Sequence, residues 1–358
     1  MSNLPIATNP EQLTSQWLDE VLKQSGAIQS SQRLSGFTFE EIGTGQMSNS
    51  FRLFLDYANQ SDAPATIIAK LPSEDDGSRA AGSGLQIYAV EINFYKEFAG
   101  KLPIRTPHCY FAEIADNGVD FVLLLEDLAP ARQGDQLQGC TLEQARLAVL
   151  EAAKLHIPHL DDPYLETLPW LTRDNPDMDL SLMVPMLYPE FRKRYEGAID
   201  PAILDMGERF MARVKTYYEK PRPHTLVHTD YRLDNMLFGV AEGGPPIAVV
   251  DWQTVSLGNP MGDIAYFIGA GLHREERRQH EEELVRAYHQ ALLDGGVADY
   301  SWEDCWQHYR LYSFAGFHMA VMASILVERT ERGDEMFRVM AERHGYQILD
   351  LDAEELLQ

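Results

Sequence analysis

The stretch Leu226 to Asp251 constrains this chain more than any other. It reads LVHTDYRLDNMLF, passes through a Gly/Pro-rich turn (GVAEGGPP) and resumes as IAVVD. An apolar stub ends in His228-x-Asp230, and four residues separate Asp230 from Asn235. A second apolar run, Ile247 to Val250, delivers Asp251. Two short apolar runs around turn residues read as a hairpin-like segment. That segment gathers three oxygen-bearing side chains, Asp230, Asn235 and Asp251.

The remaining 300-odd residues must supply a scaffold, and 358 residues suffice for two lobes with a large buried core. A formal net charge of −25 argues against nucleic acid, whose phosphates need cationic partners. An acidic surface keeps a protein soluble and would also steer a cationic substrate. The three cysteines, Cys109, Cys140 and Cys305, are far apart and form neither a disulfide framework nor a CxxC metal site. The first residues, MSNLPIATNP, lack the basic and apolar regions of a signal peptide. The longest apolar stretch, Phe314 to Val327, is shorter than the roughly 20 residues a spanning helix needs. The expectation is a cytoplasmic protein with no membrane span; the oligomeric state is left open.

Taken in order, the chain opens on a helix from Pro10, capped by Thr8 or Asn9 and stopped by Gly26. Phe37 to Ile42 and Phe51 to Tyr57 alternate apolar and polar residues, as strands do. The tip between them holds Gly43, Gly45, Ser48, Asn49 and Ser50. Such a tip lets backbone N–H groups approach phosphate oxygens, although Gly and Ser are also ordinary turn residues. Ala65 to Leu71 is an apolar strand carrying one charge, Lys70, which either snorkels to water or meets an anion. Pro72 to Ser83 is polar and Gly-rich and reads as a mobile loop. Leu85 to Phe98 is an amphipathic helix with Glu91 among its apolar positions, either at a solvated edge or paired with Lys70. His108 to Ile114 and Val119 to Leu125 form another strand pair around Asp116-Asn117-Gly118. The second strand runs into Glu126-Asp127-Leu128 and Pro130, a link whose backbone suits the edge of an adenine. The predicted boundary falls there, between residues 1–127 and 128–358.

Beyond it the pattern is helical. Thr141 caps a helix to about His156, and Ser181 to Tyr195, Pro201 to Tyr218, Gly262 to Leu272, Glu275 to Asp294, Trp302 to Glu328 and Gly333 to Gly345 read as more helices. Leu160 to Asp179 is irregular.

The central residues suit phosphoryl transfer, which needs a base near an acceptor hydroxyl, a metal bridging the phosphates and cations that offset charge. Asp230 is the candidate base. Asn235 and Asp251 offer the oxygen ligands that Mg²⁺ prefers. His228 and Asp263 read as braces of the loop. Each of Asp230, Asn235 and Asp251 could alone be a turn or capping residue. Their coincidence, downstream of a Lys and a Glu in the right order, favours chemistry. His224 and His228 have helix-face spacing for zinc, but Pro223 and the strand-like LVH oppose a helix, and no third ligand follows. No G-x-S-x-G of a hydrolase is present.

At HTDYRLDN, VVDWQ and GNPMGDIAYF the chain resembles the aminoglycoside phosphotransferase and choline kinase-like superfamily, with its ecdysteroid kinase-like relatives. The resemblance runs from about Phe37 to the C-terminal helices. It implies an α+β, bilobal, protein-kinase-like fold. A small N-terminal antiparallel β-sheet lobe would join a larger, mainly helical C-terminal lobe, with ATP between them. It implies Lys70 on the α- and β-phosphates, Glu91 as its ion-pair partner, Asp230 as base, and Asn235 and Asp251 on Mg²⁺. The tip residues Gly43, Gly45, Ser48, Asn49 and Ser50 and the link residues Glu126 and Leu128 complete the expected nucleotide site. Two departures stand out: Thr229 replaces the usual Gly between His and Asp, and Trp252-Gln253 follows the metal acid in place of Phe-Gly. The absence of an Ala-Pro-Glu segment favours a small-molecule hydroxyl acceptor over a protein.

The acceptor would be an aminoglycoside-, choline- or sterol-like alcohol. Trp252, Tyr266, Phe267, His273, Trp302, Trp306, Tyr309 and Tyr312 could cage a quaternary ammonium, but aromatics at helical spacing more often form core. The alternative to an active phosphotransferase is a catalytically silent pseudokinase or scaffold.

Overall fold

The structure, a computed structural model, describes residues 4–43, 47–59, 62–172, 179–219, 221–327 and 329–357. The chain divides into two compact units, Met1–Pro130 with Val249–Thr254, and Ala131–Ala248 with Val255–Gln358. The chain therefore re-enters the first unit at the segment that carries Asp251.

The first unit begins with α1 (Ser15–Gln24) and continues through β1 (Leu34–Ile42), β2 (Ser48–Tyr57) and β3 (Thr66–Pro72). After α2 (Asp76–Gly84) and α3 (Ile87–Phe94) come β4 (Cys109–Ile114) and β5 (Phe121–Glu126). The sheet has the order β1-β2-β3-β5-β4 and is antiparallel at every pairing. Phe121 to Leu125 are all buried because β5 is covered on both faces. On one side Trp17 of α1 meets Phe111 edge-on at 5.3 Å, and on the other Tyr88 of α3 stacks on Phe121 at 4.8 Å. Each face thus removes large aromatic area from water, the main favourable term in packing.

Two expectations fail in this unit. The helix expected from Pro10 is broken: a short turn, Pro10–Gln12, is capped by Asn9, and α1 starts afresh with Thr14 accepting from Trp17 N. A Thr side chain that takes an N–H offers the backbone an alternative to continuing the helix. The expected loop at 72–83 contains α2, capped by Asp75, which accepts from Ser78 N at 2.7 Å. Gly82 is needed there, since a Cβ would lie 2.4 Å from the Tyr88 ring. Past α3 the helix widens into a π turn at Tyr95–Ala99.

The second unit carries β6 (Arg132–Gln133), α4 (Leu142–His156), α5 (Pro169–Thr172), α6 (Leu180–Tyr195), α7 (Pro201–Met211) and α8 (Val214–Tyr217). Then follow β7 (Thr225–Val227), β8 (Met236–Val240), β9 (Gly243–Val249) and β10 (Ser256–Gly258). It ends in α9 (Met261–Gly271), α10 (Arg274–Asp294), α11 (Trp302–Tyr312), α12 (Phe314–Leu326) and α13 (Glu331–Asp350). Val184, Phe191, Ile203, Phe210, Phe317 and Ile348 are among the residues of one of its core clusters.

Thr141 forms a full capping box with Gln144 at the start of α4. Elsewhere local signals lose to packing. The expected helix 302–328 is interrupted at Ser313, whose hydroxyl donates to the Arg310 carbonyl at 2.7 Å. The helix expected to stop at Gly345 continues to Asp350, because Gly345 makes room for Ile203: a Cβ there would lie 2.3 Å from Ile203 Cγ2. The expected turn 239–246 shrinks to Ala241-Glu242. Pro245 and Pro246 fit within β9 because it is the edge of the sheet β6-β8-β9, where a missing N–H is tolerated. The irregular stretch 160–179 holds α5, and residues 173–178 lie outside the described residues.

Candidate active site

In the first unit, alternation along β3 buries Ile67, Ala69 and Leu71 on the α1 side and turns Lys70 to the other. Helix α3 supplies Glu91, which is 2% exposed. Lys70 Nζ lies 2.7 Å from Glu91 Oε2 and 2.7 Å from Asp251 Oδ1. Burial opposes the ammonium charge, but Asp251 and Glu91 together hold its pKa above the usual lysine range. Burial pushes the Glu91 carboxyl above the usual carboxylate range despite Lys70, and the Asp251 charge adds to the rise.

Asp251 is held in the left-handed region at φ +63. Its neighbours anchor it: Trp252 stacks on Phe94 of α3 at 4.1 Å and 9°, and Trp252 Nε1 donates to Val249 O at 3.1 Å. Val249 N in turn donates to Arg105 O at 2.9 Å. The Trp that follows the acid is therefore the anchor of this segment. Asp251 Oδ2, opposite the oxygen taken by Lys70, accepts from Gln253 Nε2 at 3.3 Å.

The glycine tip lies between β1 and β2. Gly43 adopts φ +76, which favours glycine. Gly45 lies outside the described residues. Register sets Ser50 opposite Lys70, Asn49 opposite Leu71 and Ser48 opposite Pro72. Ser48 is buried, and Asn49 and Ser50 are half-buried. At the end of β5, Glu126 N donates to His108 O at 2.8 Å, so that N–H is already used within the sheet. The Glu126 carboxylate accepts from Arg105 Nη2 at 2.7 Å and His108 N at 2.9 Å. Burial would raise its pKa, but these donors prevail and lower it. Leu128 is buried.

In the second unit, β7 pairs with β10 and leads into His228, Thr229 and Asp230. Asp263, in the first turn of α9, accepts from His228 N at 2.7 Å and Thr229 N at 2.9 Å. It also meets His156 Nε2 at 3.2 Å, while His156 Nδ1 bonds the Tyr288 hydroxyl at 2.8 Å. Thr229 has φ +71, a strained value for a β-branched residue. Asp263 on its N–H and Ser256 Oγ at 2.9 Å from its hydroxyl hold it there.

The Asp230 carboxylate is fully furnished with donors. Arg232 Nε is 3.0 Å from each oxygen, Tyr266 donates its hydroxyl to Oδ1 at 2.8 Å, and Asn235 Nδ2 donates to Oδ2 at 2.8 Å. Burial favours the neutral acid, but the Arg232 charge and these bonds hold its pKa below the usual range. Asn235 spends its amide nitrogen on Asp230, so its oxygen is the end that can meet a cation. Arg232 also reaches Asp234 Oδ2 at 2.5 Å.

The structure thus brings Lys70, Glu91 and Asp251 together in one unit and Asp230 and Asn235 together in the other. The sequence reading missed Arg232 and His156 and placed Tyr266 only among the aromatics. Arg232 left a faint signal, a cation two residues after the acid. Tyr266 left none, because its partner is 36 residues away. Tyr309, one of the aromatics weighed for a cage, is buried, and its hydroxyl donates to Glu281 at 2.8 Å, in keeping with a place in the core. Trp302 and Trp306 stack on one another, with Arg286 over Trp302 at 4.0 Å.

The model of the ecdysteroid kinase-like family matches residues 43–157 and 182–296 of this chain. Among curated proteins, acyl-CoA dehydrogenase family member 10 of Mus musculus is 35% identical over 83 residues, 23% of this chain and 8% of that protein. Acyl-CoA dehydrogenase family member 11 of Homo sapiens is 35% identical over 78 residues, 21% of this chain and 10% of that protein. The match therefore spans a tenth or less of these much longer relatives. Among solved structures, an aminoglycoside phosphotransferase by assignment from Ralstonia eutropha JMP134 superposes with a TM-score of 0.53 at 17% identity, covering 93% of this chain and 97% of that one. An ethanolamine kinase from Plasmodium vivax gives 0.51 at 12% identity, covering 91% and 86%. The fold is the α+β, protein-kinase-like fold of these proteins.

Proposed function

The chain belongs to the ecdysteroid kinase-like family, and on that premise we propose that it is a small-molecule kinase that transfers the γ-phosphate of ATP to the hydroxyl of a small alcohol. The acceptor class we propose is an aminoglycoside-, choline- or sterol-like alcohol. The observation that carries the reading is the lysine Nζ shared between Glu91 and Asp251 at 2.7 Å from each. A buried lysine with two carboxylates is pre-oriented, and an oxygen-rich phosphate chain can share it.

In this reading Lys70 binds the α- and β-phosphates and Glu91 keeps it in place. The tip residues Gly43, Gly45, Ser48, Asn49 and Ser50 line the phosphates, and the link at Glu126 and Leu128 lies along the base. Asp230 orients the acceptor hydroxyl. As the new O–P bond forms, its proton passes to the Asp230 carboxylate, the bond from the γ-phosphorus to its bridging oxygen breaks, and ADP leaves. An aspartate with a lowered pKa is a weak base, so orientation is the larger share of its work. Asn235 and Asp251 suit Mg²⁺, which takes oxygen ligands and few of them from protein. Bound there, it would neutralise charge on the phosphates.

We assign the nucleotide to residues 1–127 and the acceptor to 128–358, with Val249–Thr254 grouped with the former. No described helix is long and apolar enough to cross a membrane, and the proposed location is the cytoplasm.

The test begins with a screen of hydroxyl compounds for stimulated ADP release. Asp230→Ala is then expected to keep the thermal shift produced by MgATP and to lose transfer by about 10²-fold or more. Asp251→Ala is expected to lose the Mg²⁺-dependent shift itself. Undiminished transfer by Asp230→Ala would remove the base assignment.

A further inference from the structure

We infer that Tyr266 is a positioning residue for the transfer, its hydroxyl fixing the orientation of the Asp230 carboxylate from outside the loop that bears it. This rests on the reading of Asp230 as the base. Asp230 has three side-chain donors, and two of them, Arg232 and Asn235, belong to its own loop. Those two are borne by the loop itself, and although Arg232 also reaches Met336 Sδ at 3.2 Å, neither ties the carboxylate to the helix that grips the loop backbone. Tyr266 does, because it stands on α9, one turn beyond Asp263, which grips the His228 and Thr229 N–H groups. One helix face therefore holds both the backbone and the side chain of the loop, as residues three apart on a helix allow.

The support behind Tyr266 is built in depth. Tyr266 is 1% exposed, and its ring stacks on His344 of α13 at 5.5 Å and 28°. His344 Nδ1 bonds Gln347 Oε1 at 3.0 Å, and Gln347 Nε2 donates to Ala265 O of α9 at 3.2 Å. Gly316 and Gly269 leave the slot for that imidazole: a Cβ at either would come within 1.9 or 2.5 Å of it. Burial and the Asp230 charge push the phenol pKa well up, so the hydroxyl stays protonated and donates. Groups held to within a fraction of an ångström by a second layer of contacts are those whose loss costs rate more than stability.

Tyr266→Phe keeps the stack and removes one donor. With MgATP as the probe, ADP release is measured with water as acceptor and with any alcohol that stimulates it. The kcat is expected to fall about tenfold to a hundredfold with KM for MgATP unchanged. In the Asp230→Asn background the same substitution should add nothing, because its effect runs through Asp230. A crystal structure of Tyr266→Phe should show the Asp230 carboxylate in more than one orientation. Unchanged kcat, an equal fractional loss in the Asp230→Asn background, or one ordered carboxylate in the crystal would each overturn the inference. If Asp230→Asn turns over as fast as the unmutated protein, the base reading itself falls. If Asp230→Asn is slow and Tyr266→Phe is not, only the role of Tyr266 falls.

Discussion

The Lys70 cluster and the Asp230 cluster each set one cation between two carboxylates, yet they are made in opposite ways. Lys70 meets Glu91 and an acid 181 residues away, and β3, α3 and the 249–254 segment must all be in place first. Asp230, Arg232, Asp234 and Asn235 lie within six consecutive positions, and of the described side-chain donors to the Asp230 carboxylate Tyr266 is the one from outside them. Depth differs too. In the first cluster the Glu91 side chain is 3% exposed and that of Asp251 29%, so one carboxylate is deeply buried; in the second those of Asp230 and Asp234 are 19% and 14% exposed, and neither is as deep as Glu91. The first cluster depends on one charge, while the second spreads its load over neutral donors. Removing the cation should therefore cost more in the first.

The sharpest way to break this contrast is a pair of charge deletions. Lys70→Met strands a buried carboxylate and is expected to cost about 3–5 kcal/mol of unfolding free energy. Arg232→Met leaves Asp230 with Tyr266 and Asn235 and is expected to cost about 1–3 kcal/mol. Urea unfolding of both variants reads the order, and the reverse order would refute the comparison.

Acid sharpens it next, because buried titrating groups in the two units respond with opposite sign. His318, bonded to the Tyr218 hydroxyl, and His344 are pushed by burial to about 4 and about 3. Each stays neutral when folded and takes a proton more readily when unfolded. Their stability contribution is present above the unfolded value near 6.5 and is lost as pH falls toward the folded values, at about 1.4 kcal/mol per pH unit for each. Glu91 has a raised folded pKa, so its contribution appears as pH falls and is lost as pH rises through that value. Hydrogen exchange between pH 6.5 and 4 should show α12 and α13 losing protection before β3 and α3. His318→Phe should flatten the acid limb, and an unchanged limb would exclude it as a contributor.

The smallest effect concerns Thr229. Thr229→Val keeps the left-handed strain and loses the bond to Ser256, and should cost about 1 kcal/mol. Thr229→Gly loses the same bond but sheds a strain of about 1–2 kcal/mol, so its melting temperature should match or exceed that of the Val variant. Melting curves of the two decide it.

Much of this molecule can be read along the chain, and the reading fails at identifiable places. Strand alternation around Leu53 and Ile67 and the cap at Thr141 are local properties, expressed by a few adjacent residues. The failures at Gly82 and Gly345 share a cause. Along the chain glycine reads as a loop or stop signal, whereas its missing Cβ admits Tyr88 in one case and Ile203 in the other. The two prolines of β9 misled in the same way, since only the sheet order reveals an edge.

The same division runs through the candidate site. Asp230, Asn235 and Asp251 stand out as candidates along the chain, because their spacing, read together with an upstream Lys and Glu, is a pattern of sequence positions. That Asp251 belongs with the first unit, that one Nζ serves two carboxylates, and that Tyr266 holds the Asp230 carboxylate were decided by tertiary structure. Those features join residues 21 to 181 positions apart. Hydrogen bonds and ion pairs act over a few ångströms, and only the packed core of each unit brings such distant positions that close.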